Sequence, residues 1–173
     1  MAPRKALPAK KPSRKLTHAD AAGKAKMVSV GEKPETLRVA IAVAVVRMSA
    51  ATLALIQSNT AAKGDVLAVA RVAALAGLKR TSELIPLCHP VRVVGSDVDL
   101  VADAAVPGVR IRCRVEAFDR TGVEMEAMMG ASVAALTVYD MVKGVERGVT
   151  IEALGLQAKS GGRSGEWRRP AAR

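Results

Sequence analysis

The stretch "VRIRCRVEAF", residues 109–118, alternates between apolar and polar side chains along its whole length. One face carries Val109, Ile111, Cys113, Val115 and Ala117, and the other carries Arg110, Arg112, Arg114 and Glu116. Successive side chains of a strand point to opposite faces of a sheet. The pattern therefore predicts an antiparallel strand with one buried and one wet face, in which Cys113 points into the core.

Further strands are predicted on both sides of this stretch. "VRVVGSDVDLVAD", residues 91–103, precedes it across a "PGV" turn, which predicts a pair of neighbouring strands. "VTIEALGLQAKS", residues 149–160, predicts a final strand, and "MVSV", residues 27–30, is a short strand candidate. These segments point to a mainly antiparallel sheet.

Three segments predict helices. Residues 35–58 are apolar on most sides and follow Pro34, which suits a first helical turn, so we expect a mostly buried helix. Residues 66–81 predict a second helix and residues 125–146 a third. The order α, α, β, β, α, β favours an α+β sandwich, with helices packed on one face of an antiparallel sheet.

Composition limits the class of protein. The chain has 173 residues, half of them apolar, which suits one domain with a real core. It has no apolar run of about 18 residues that could span a membrane, and its N-terminus does not resemble a secretory signal. Its two cysteines, Cys88 and Cys113, form no disulfide framework. We therefore expect a cytoplasmic protein.

The positive charge lies mainly at the ends of the chain. Of the net charge of +11, residues 1–15 carry +6 and residues 163–173 carry +3, which leaves +2 for residues 16–162. We expect a disordered basic arm over 1–15, a single α+β domain over 16–162 and a basic tail over 163–173. A nucleic-acid-binding function is disfavoured, because the body is nearly neutral and the chain has only three aromatic residues.

"ELIPLCHP", residues 83–90, places one of two cysteines beside one of two histidines. Cys88 and His89 could belong to a metal site, to a nucleophile with its base, or to a polar corner of a substrate pocket. A structural zinc site takes four ligands, usually in paired short spacings, so the small number of Cys and His residues disfavours metal. The residues alone leave the other two interpretations open.

The third predicted helix carries further candidates. Asp140 and Lys143 share a face, as an ordinary surface ion pair or as part of a site. Glu124 and Glu126 flank Met125, where carboxylates favour the start of a helix or could transfer protons. Glu126 and Asp140 are fourteen residues apart, which is about 21 Å along a straight helix. One small substrate can therefore contact both carboxylates only if different subunits contribute them to a shared site.

Two cationic segments could bind phosphate. "AKSGGRSG", residues 158–165, combines three glycines with Lys159 and Arg163 but lacks Walker spacing, so a flexible tail is an equal alternative. Lys63 of "AKGD" precedes the second predicted helix, where it could bind an anion or be solvated.

Taken together, these motifs resemble the cyclic pyranopterin monophosphate synthase family, also called MoaC. The resemblance covers about residues 16–167 and rests on "LTHADAAGKAKMVSVGEKPET", "KGDVLAVARVAALAGLKRTSELIPLCHPV", "TGVEMEA", "SVAALTVYDMVKGVERG" and "AKSGGRSG". It implies a ferredoxin-like α+β fold and a homohexamer, a trimer of dimers, with pockets between subunits. It also implies conversion of 3′,8-cyclo-7,8-dihydroguanosine 5′-triphosphate, made by a radical enzyme, into cyclic pyranopterin monophosphate and pyrophosphate.

The resemblance assigns residue roles. The catalytic residues it implies are Asp140, Lys63 and Lys143. The substrate-binding residues it implies are Leu87, Cys88, His89, Glu124, Met125, Glu126 and Lys159. No metal, other resident cofactor, membrane or specific nucleic acid is expected, and whether Mg²⁺ accompanies the triphosphate is left open. The chain departs from the family pattern at Ser29, Met128, Met129, Gly130 and Val142.

Overall fold

A five-stranded antiparallel sheet is the frame of the molecule in the computed structural model, which describes residues 24–170. The strands are β1 (Thr36–Arg47), β2 (Val93–Asp103), β3 (Gly108–Asp119), β4 (Thr150–Ser160) and β5 (Trp167–Arg168). Their order across the sheet is β2-β3-β1-β4-β5, so β1 lies at the centre. The short β5, which the sequence analysis did not predict, extends the sheet beyond β4.

Four helices complete the described chain. They are α1 (Ala50–Gln57), α2 (Val66–Leu78), α3 (Thr81–Leu84) and α4 (Glu124–Val142). With α2 and α4 as the main helices, the first four strands follow a β-α-β-β-α-β order, which is the ferredoxin-like arrangement. The prediction of an α+β fold with an antiparallel sheet is confirmed. No helix among residues 24–170 is long and apolar enough to cross a membrane.

Small side chains bring α4 close to the sheet. The inward face of β1 consists of Ala40, Ala42, Ala44 and Val46, all at most 1% exposed. The facing residues of α4 are again mainly alanines: Ala127, Ala131, Ala134 and Ala135. Because so little side-chain volume separates the two backbones, α4 can lie directly over β1 and β3, and its two ends project toward opposite ends of the sheet.

The prediction for residues 109–118 is confirmed. All five inward residues of that stretch are buried, and Cys113 is fully buried. Helix α4 packs against β1 and β3, and α2 packs against α4 and β2. The strand predicted over 91–103 corresponds to β2, and that predicted over 149–160 corresponds to β4.

The helix predicted over residues 35–58 is wrong. This segment forms β1, a short turn and α1. The outward residues of β1 are also apolar and only half buried: Val39, Ile41, Val43 and Val45. With apolar residues on both faces, the alternation that marks a strand disappears. The high content of β-branched residues is the feature of this segment that favours a strand over a helix.

Smaller differences concern the ends of elements. Residues 27–30 form no strand, and the structure has only an isolated bridge at Ala25. The third predicted helix ends at Val142 instead of Glu146, because the chain turns at residues 143–145. The predicted arm over residues 1–15 and His18 lie outside the described residues.

Candidate functional site

Helix α4 carries candidate residues at both of its ends. Glu124 and Glu126 lie in its first turn, and Asp140 lies in its last turn, followed by Lys143 at the C-cap. The helix is continuous between them, so the two groups are about 21 Å apart along its axis. We call the group around Asp140 the aspartate end and the group around Glu126 the glutamate end.

The aspartate end is a carboxylate between two ammonium groups. Lys63 Nζ lies 2.8 Å from Asp140 Oδ2 and also donates to the Asp140 carbonyl oxygen at 2.9 Å. Lys143 Nζ lies 2.6 Å from Asp140 Oδ1. The hydrogen bond from Lys143 to the Asp140 carboxylate, and after it the one from Lys63, lower the pKa of Asp140 to about 2. Asp140 in turn raises the pKa of Lys143. Asp140 is therefore ionised and Lys143 protonated at neutral pH.

All three side chains of the aspartate end are about half exposed in the single chain. The Asp140–Lys143 pair is therefore solvent-exposed within one chain. The group stays accessible to an anionic ligand, because nothing in the described chain covers it. An exposed pair of this kind contributes little to stability by itself.

The turn before α2 positions Lys63. Gly64 adopts a φ of +87°, a left-handed conformation that favours glycine. Asp65 then caps α2 by accepting a hydrogen bond from the Ala68 backbone N–H at 2.9 Å. This turn and cap direct Lys63 across to the last turn of α4, 77 residues further along the chain.

At the glutamate end, five of the predicted pocket residues line one cleft. This outer cleft has a volume of about 550 Å³. The predicted residues that line it are Leu87, Cys88, His89, Glu124 and Met125. The structure thus brings "LCHP" and "EME" together, although 35 residues lie between His89 and Met125.

Lys159 joins the glutamate end from β4. It pairs with Ala40 in the sheet, so both side chains point to the helix-covered face. Its Nζ lies 2.9 Å from Glu124 Oε1 and 2.8 Å from Ser164 Oγ. Within one chain, Lys159 therefore belongs to a different group from Lys63 and Lys143.

Glu126 lies beneath the cleft as a buried carboxyl. It is 2% exposed, and its Oε1 accepts a hydrogen bond from the Cys88 thiol at 3.8 Å. Its Oε2 has no hydrogen-bond partner among the described residues. Burial raises the pKa of Glu126 to about 7, and the charge of Glu124 adds to the shift. Glu126 therefore exchanges its proton near neutral pH.

Cys88 is a thiol in this setting. Burial, together with the negative charge of Glu126, raises the pKa of Cys88 to about 11. A nucleophilic cysteine is normally a thiolate with a lowered pKa. The structure thus disfavours the nucleophile interpretation of "ELIPLCHP" and favours the substrate-pocket one. Among residues 24–170, no group of three or more Cys, His, Asp or Glu side chains could hold a metal ion.

Sequence reasoning missed two cations near this cleft, Lys33 and Arg38. A basic cavity of about 420 Å³ is lined by Lys33, Arg38, Arg163 and Ser164 together with neighbouring backbone. Arg38 is held by the carbonyl oxygens of Asp119 and Arg120, at 2.8 and 3.0 Å. A strand assignment for residues 36–47 would have revealed Arg38 as a charged residue on the same face as Ala40 and Ala42.

Comparison with known proteins gives consistent results. A sequence model described as the MoaC family matches residues 27–162. The chain is also 55% identical, over 154 residues, to a protein from Thermomicrobium roseum named cyclic pyranopterin monophosphate synthase. That alignment covers 89% of this chain and 93% of the relative.

Proposed function

The chain belongs to the MoaC family, and on that premise we propose that it is a lyase of molybdenum cofactor biosynthesis. Its proposed reaction converts 3′,8-cyclo-7,8-dihydroguanosine 5′-triphosphate into cyclic pyranopterin monophosphate and pyrophosphate. The observation that carries the proposal is the contact of Lys63 and Lys143 with the two oxygens of Asp140. Residues far apart in sequence form this group at the motif positions through which the chain resembles the family.

The cations at the glutamate end support a triphosphate substrate. Lys33, Arg38 and Arg163 line the basic cavity, and Lys159 lies beside the neighbouring glycine-rich turn. Several fixed cations from different elements suit a ligand with several negative charges. Neutralisation of the departing charge would also favour the release of pyrophosphate.

The outer cleft suits the guanine-derived ring. Leu87 and Met125 provide apolar walls, and His89 and Glu124 provide polar groups at the rim. Pockets for planar ligands usually combine apolar walls with a few fixed polar groups. We assign base recognition to this cleft and phosphate recognition to the adjoining basic cavity.

The aspartate end would supply proton transfers and charge. Ring opening and closure of the pterin require protons to move at several positions. Lys143 is protonated and can donate, and the ionised Asp140 keeps both lysine ammonium groups in place. A fixed pair of cations can also stabilise negative charge that develops in the transition state.

We propose that the chain forms a homohexamer, a trimer of dimers, and two features support its assembly into an oligomer. The aspartate and glutamate ends are too far apart for one small substrate, so a complete site needs the aspartate end of one subunit beside the glutamate end of another. Apolar residues on the outer surfaces of α2 and α4 are also exposed, among them Val72 at 66% and Leu136 at 58%. We expect this assembly in the cytoplasm.

The experiment is a turnover assay with purified protein. The cyclised nucleotide, made by the upstream radical enzyme, is added, and cyclic pyranopterin monophosphate and pyrophosphate are measured. We expect stoichiometric formation of both. If a folded oligomer forms neither product, the proposed function is wrong.

A further inference from the structure

We propose that Glu126 and Cys88 form a proton-transfer pair, in which Glu126 accepts a proton from bound substrate through the Cys88 thiol. The inference rests on the proposed function, since it assigns a catalytic step to the glutamate end of the same site. It gives Glu126 and Cys88 a role beyond lining the pocket, separate from the aspartate end.

The position of the pair between two cavities carries the inference. Cys88 lines the outer cleft. Glu126 lines a second cavity, of about 300 Å³, together with Lys79, Ser82 and Pro90. The contact of 3.8 Å between Cys88 Sγ and Glu126 Oε1 joins the two sides. A proton can therefore pass from the substrate to Glu126 by way of the thiol and leave through the second cavity.

Burial is the main cause of the raised pKa of Glu126, and the charges around it add to the shift. Among the ion pairs of residues 24–170, Glu126 takes part in none. Glu124, on the same helix, is paired with Lys159. Asp119, at the end of β3, opposes ionisation of Glu126, whereas Lys79, at the C-cap of α2, lines the same cavity.

An unpaired buried carboxylate is costly, so Glu126 retains a proton more readily than an exposed carboxyl does. Its pKa of about 7 places the exchange at neutral pH. A group that titrates near the working pH is the most effective general acid or base. Asp140, with a pKa of about 2, is a weaker base than Glu126 at neutral pH.

The proton moves in two coupled transfers. A substrate N–H or O–H bond breaks, and its proton binds Cys88 Sγ while the original thiol proton passes to Glu126 Oε1. The substrate loses one proton, the sulfur remains a thiol, and Glu126 becomes a neutral acid. Because the two transfers are coupled, no free thiolate forms, which agrees with the raised pKa of Cys88. Glu126 later releases its proton to solvent, or returns it by the reverse step.

The first test is the pH dependence of turnover. We expect kcat of the wild type to rise with increasing pH, with an inflection near pH 7. In Glu126→Gln, kcat should be about 100-fold lower and the inflection should be absent. Cys88→Ala should behave like Glu126→Gln, whereas Cys88→Ser, which can still relay a proton, should recover most of the activity. Glu124→Gln is the matched control, since it lowers activity through binding but should keep the inflection.

The second test needs no turnover. An infrared titration of the full-length protein, with the Glu126→Gln spectrum subtracted, isolates the carboxyl band of Glu126. We expect its midpoint near pH 7, and a midpoint near the ordinary value of 4.5 would overturn the proposal. Unchanged kcat and pH profile in Glu126→Gln would overturn it too. Failure of the wild type to turn over substrate would instead count against the proposed function.

Discussion

At the aspartate end of α4 a carboxylate is exposed between two ammonium groups, whereas at the glutamate end a carboxyl is buried and forms no ion pair with any residue of 24–170. Asp140 is about half exposed and bonded to Lys63 and Lys143. Glu126 is 2% exposed, and the Cys88 thiol donates to it. One helix thus keeps a charge by pairing at one end and a proton by burial at the other.

The two ends therefore depend on pH with opposite sign. The folded-state pKa of Asp140 lies below its ordinary value of 3.8, so its contribution to stability is present above pH 3.8 and is lost as pH falls through about 2. The folded-state pKa of Glu126 lies above its ordinary value of 4.5. Its contribution is complete below pH 4.5 and is lost as pH rises through about 7.

The largest effect should come from breaking the paired end. Asp140→Asn removes the charge that holds both lysines, and we expect kcat/KM to fall about 1,000-fold in the turnover assay. Lys63→Ala should act in the same direction. Glu152→Gln, which breaks an exposed ion pair with Arg47 outside both ends, is the control and should leave turnover unchanged. Near-normal turnover in Asp140→Asn would remove the aspartate end from the mechanism.

The next effect concerns stability at the buried end. Wild-type protein should lose about 3 kcal/mol relative to Glu126→Gln between pH 4.5 and pH 8, because the buried carboxyl must ionise in the folded state. Denaturant unfolding of both proteins at a series of pH values measures this difference. A pH-independent difference between them would show that Glu126 is not desolvated as described.

A third change tests the packing between the two ends. A Cβ added at Gly130 would lie 2.6 Å from Cys113 Sγ, so Gly130→Ala should destabilise the protein by about 2 kcal/mol through overpacking. Cys113→Ala should remove most of that cost in the double variant. Gly144→Ala is the control, because a Cβ added there meets no atom of the described residues within 4 Å. Equal free energies of unfolding for Gly130→Ala and Gly144→Ala would contradict this account.

The smallest effect should come from the cap of α1. Ser49 Oγ accepts a hydrogen bond from the Thr52 backbone N–H and donates one to Glu146 Oε2 at 2.8 Å. Glu146 lies three residues after Lys143, so this cap is close in sequence to the aspartate end. Ser49→Ala should therefore cost about 1 kcal/mol, measured by thermal unfolding. Ser58→Ala, at the opposite end of α1, should cost less. A larger cost at Ser58 would show that the Glu146 contacts do not fix this turn.

The sequence predicted the fold where the pattern was unambiguous. β3 alternates cleanly, so its buried face was predicted correctly, whereas β1 is apolar on both faces and was mistaken for a helix. The same error concealed Arg38, whose importance is visible only once its neighbours are known to point inward. Strand pairing of this kind depends on long-range contacts, which local periodicity does not encode.

The sequence also indicated most candidate site residues but not their environments. The motifs pointed to Asp140 and Glu126 as carboxylates on one helix. They could not show that Lys63 contacts Asp140, which lies 77 residues further along the chain. Nor could they show that Glu126 is buried and forms no ion pair within the described chain, since burial is set by the packing of the end of α2 and the "LCHP" segment around it.

The central claim is that the aspartate end of one subunit and the glutamate end of another form one site. Its most direct test is activity in mixed oligomers of Asp140→Asn and Lys159→Ala, two variants that we expect to have little activity of their own. If the site is shared, random assembly in equal amounts should give about one quarter of wild-type turnover, because that fraction of sites combines two intact ends. Turnover no higher than that of the separate variants, in oligomers shown to be mixed, would contradict the account.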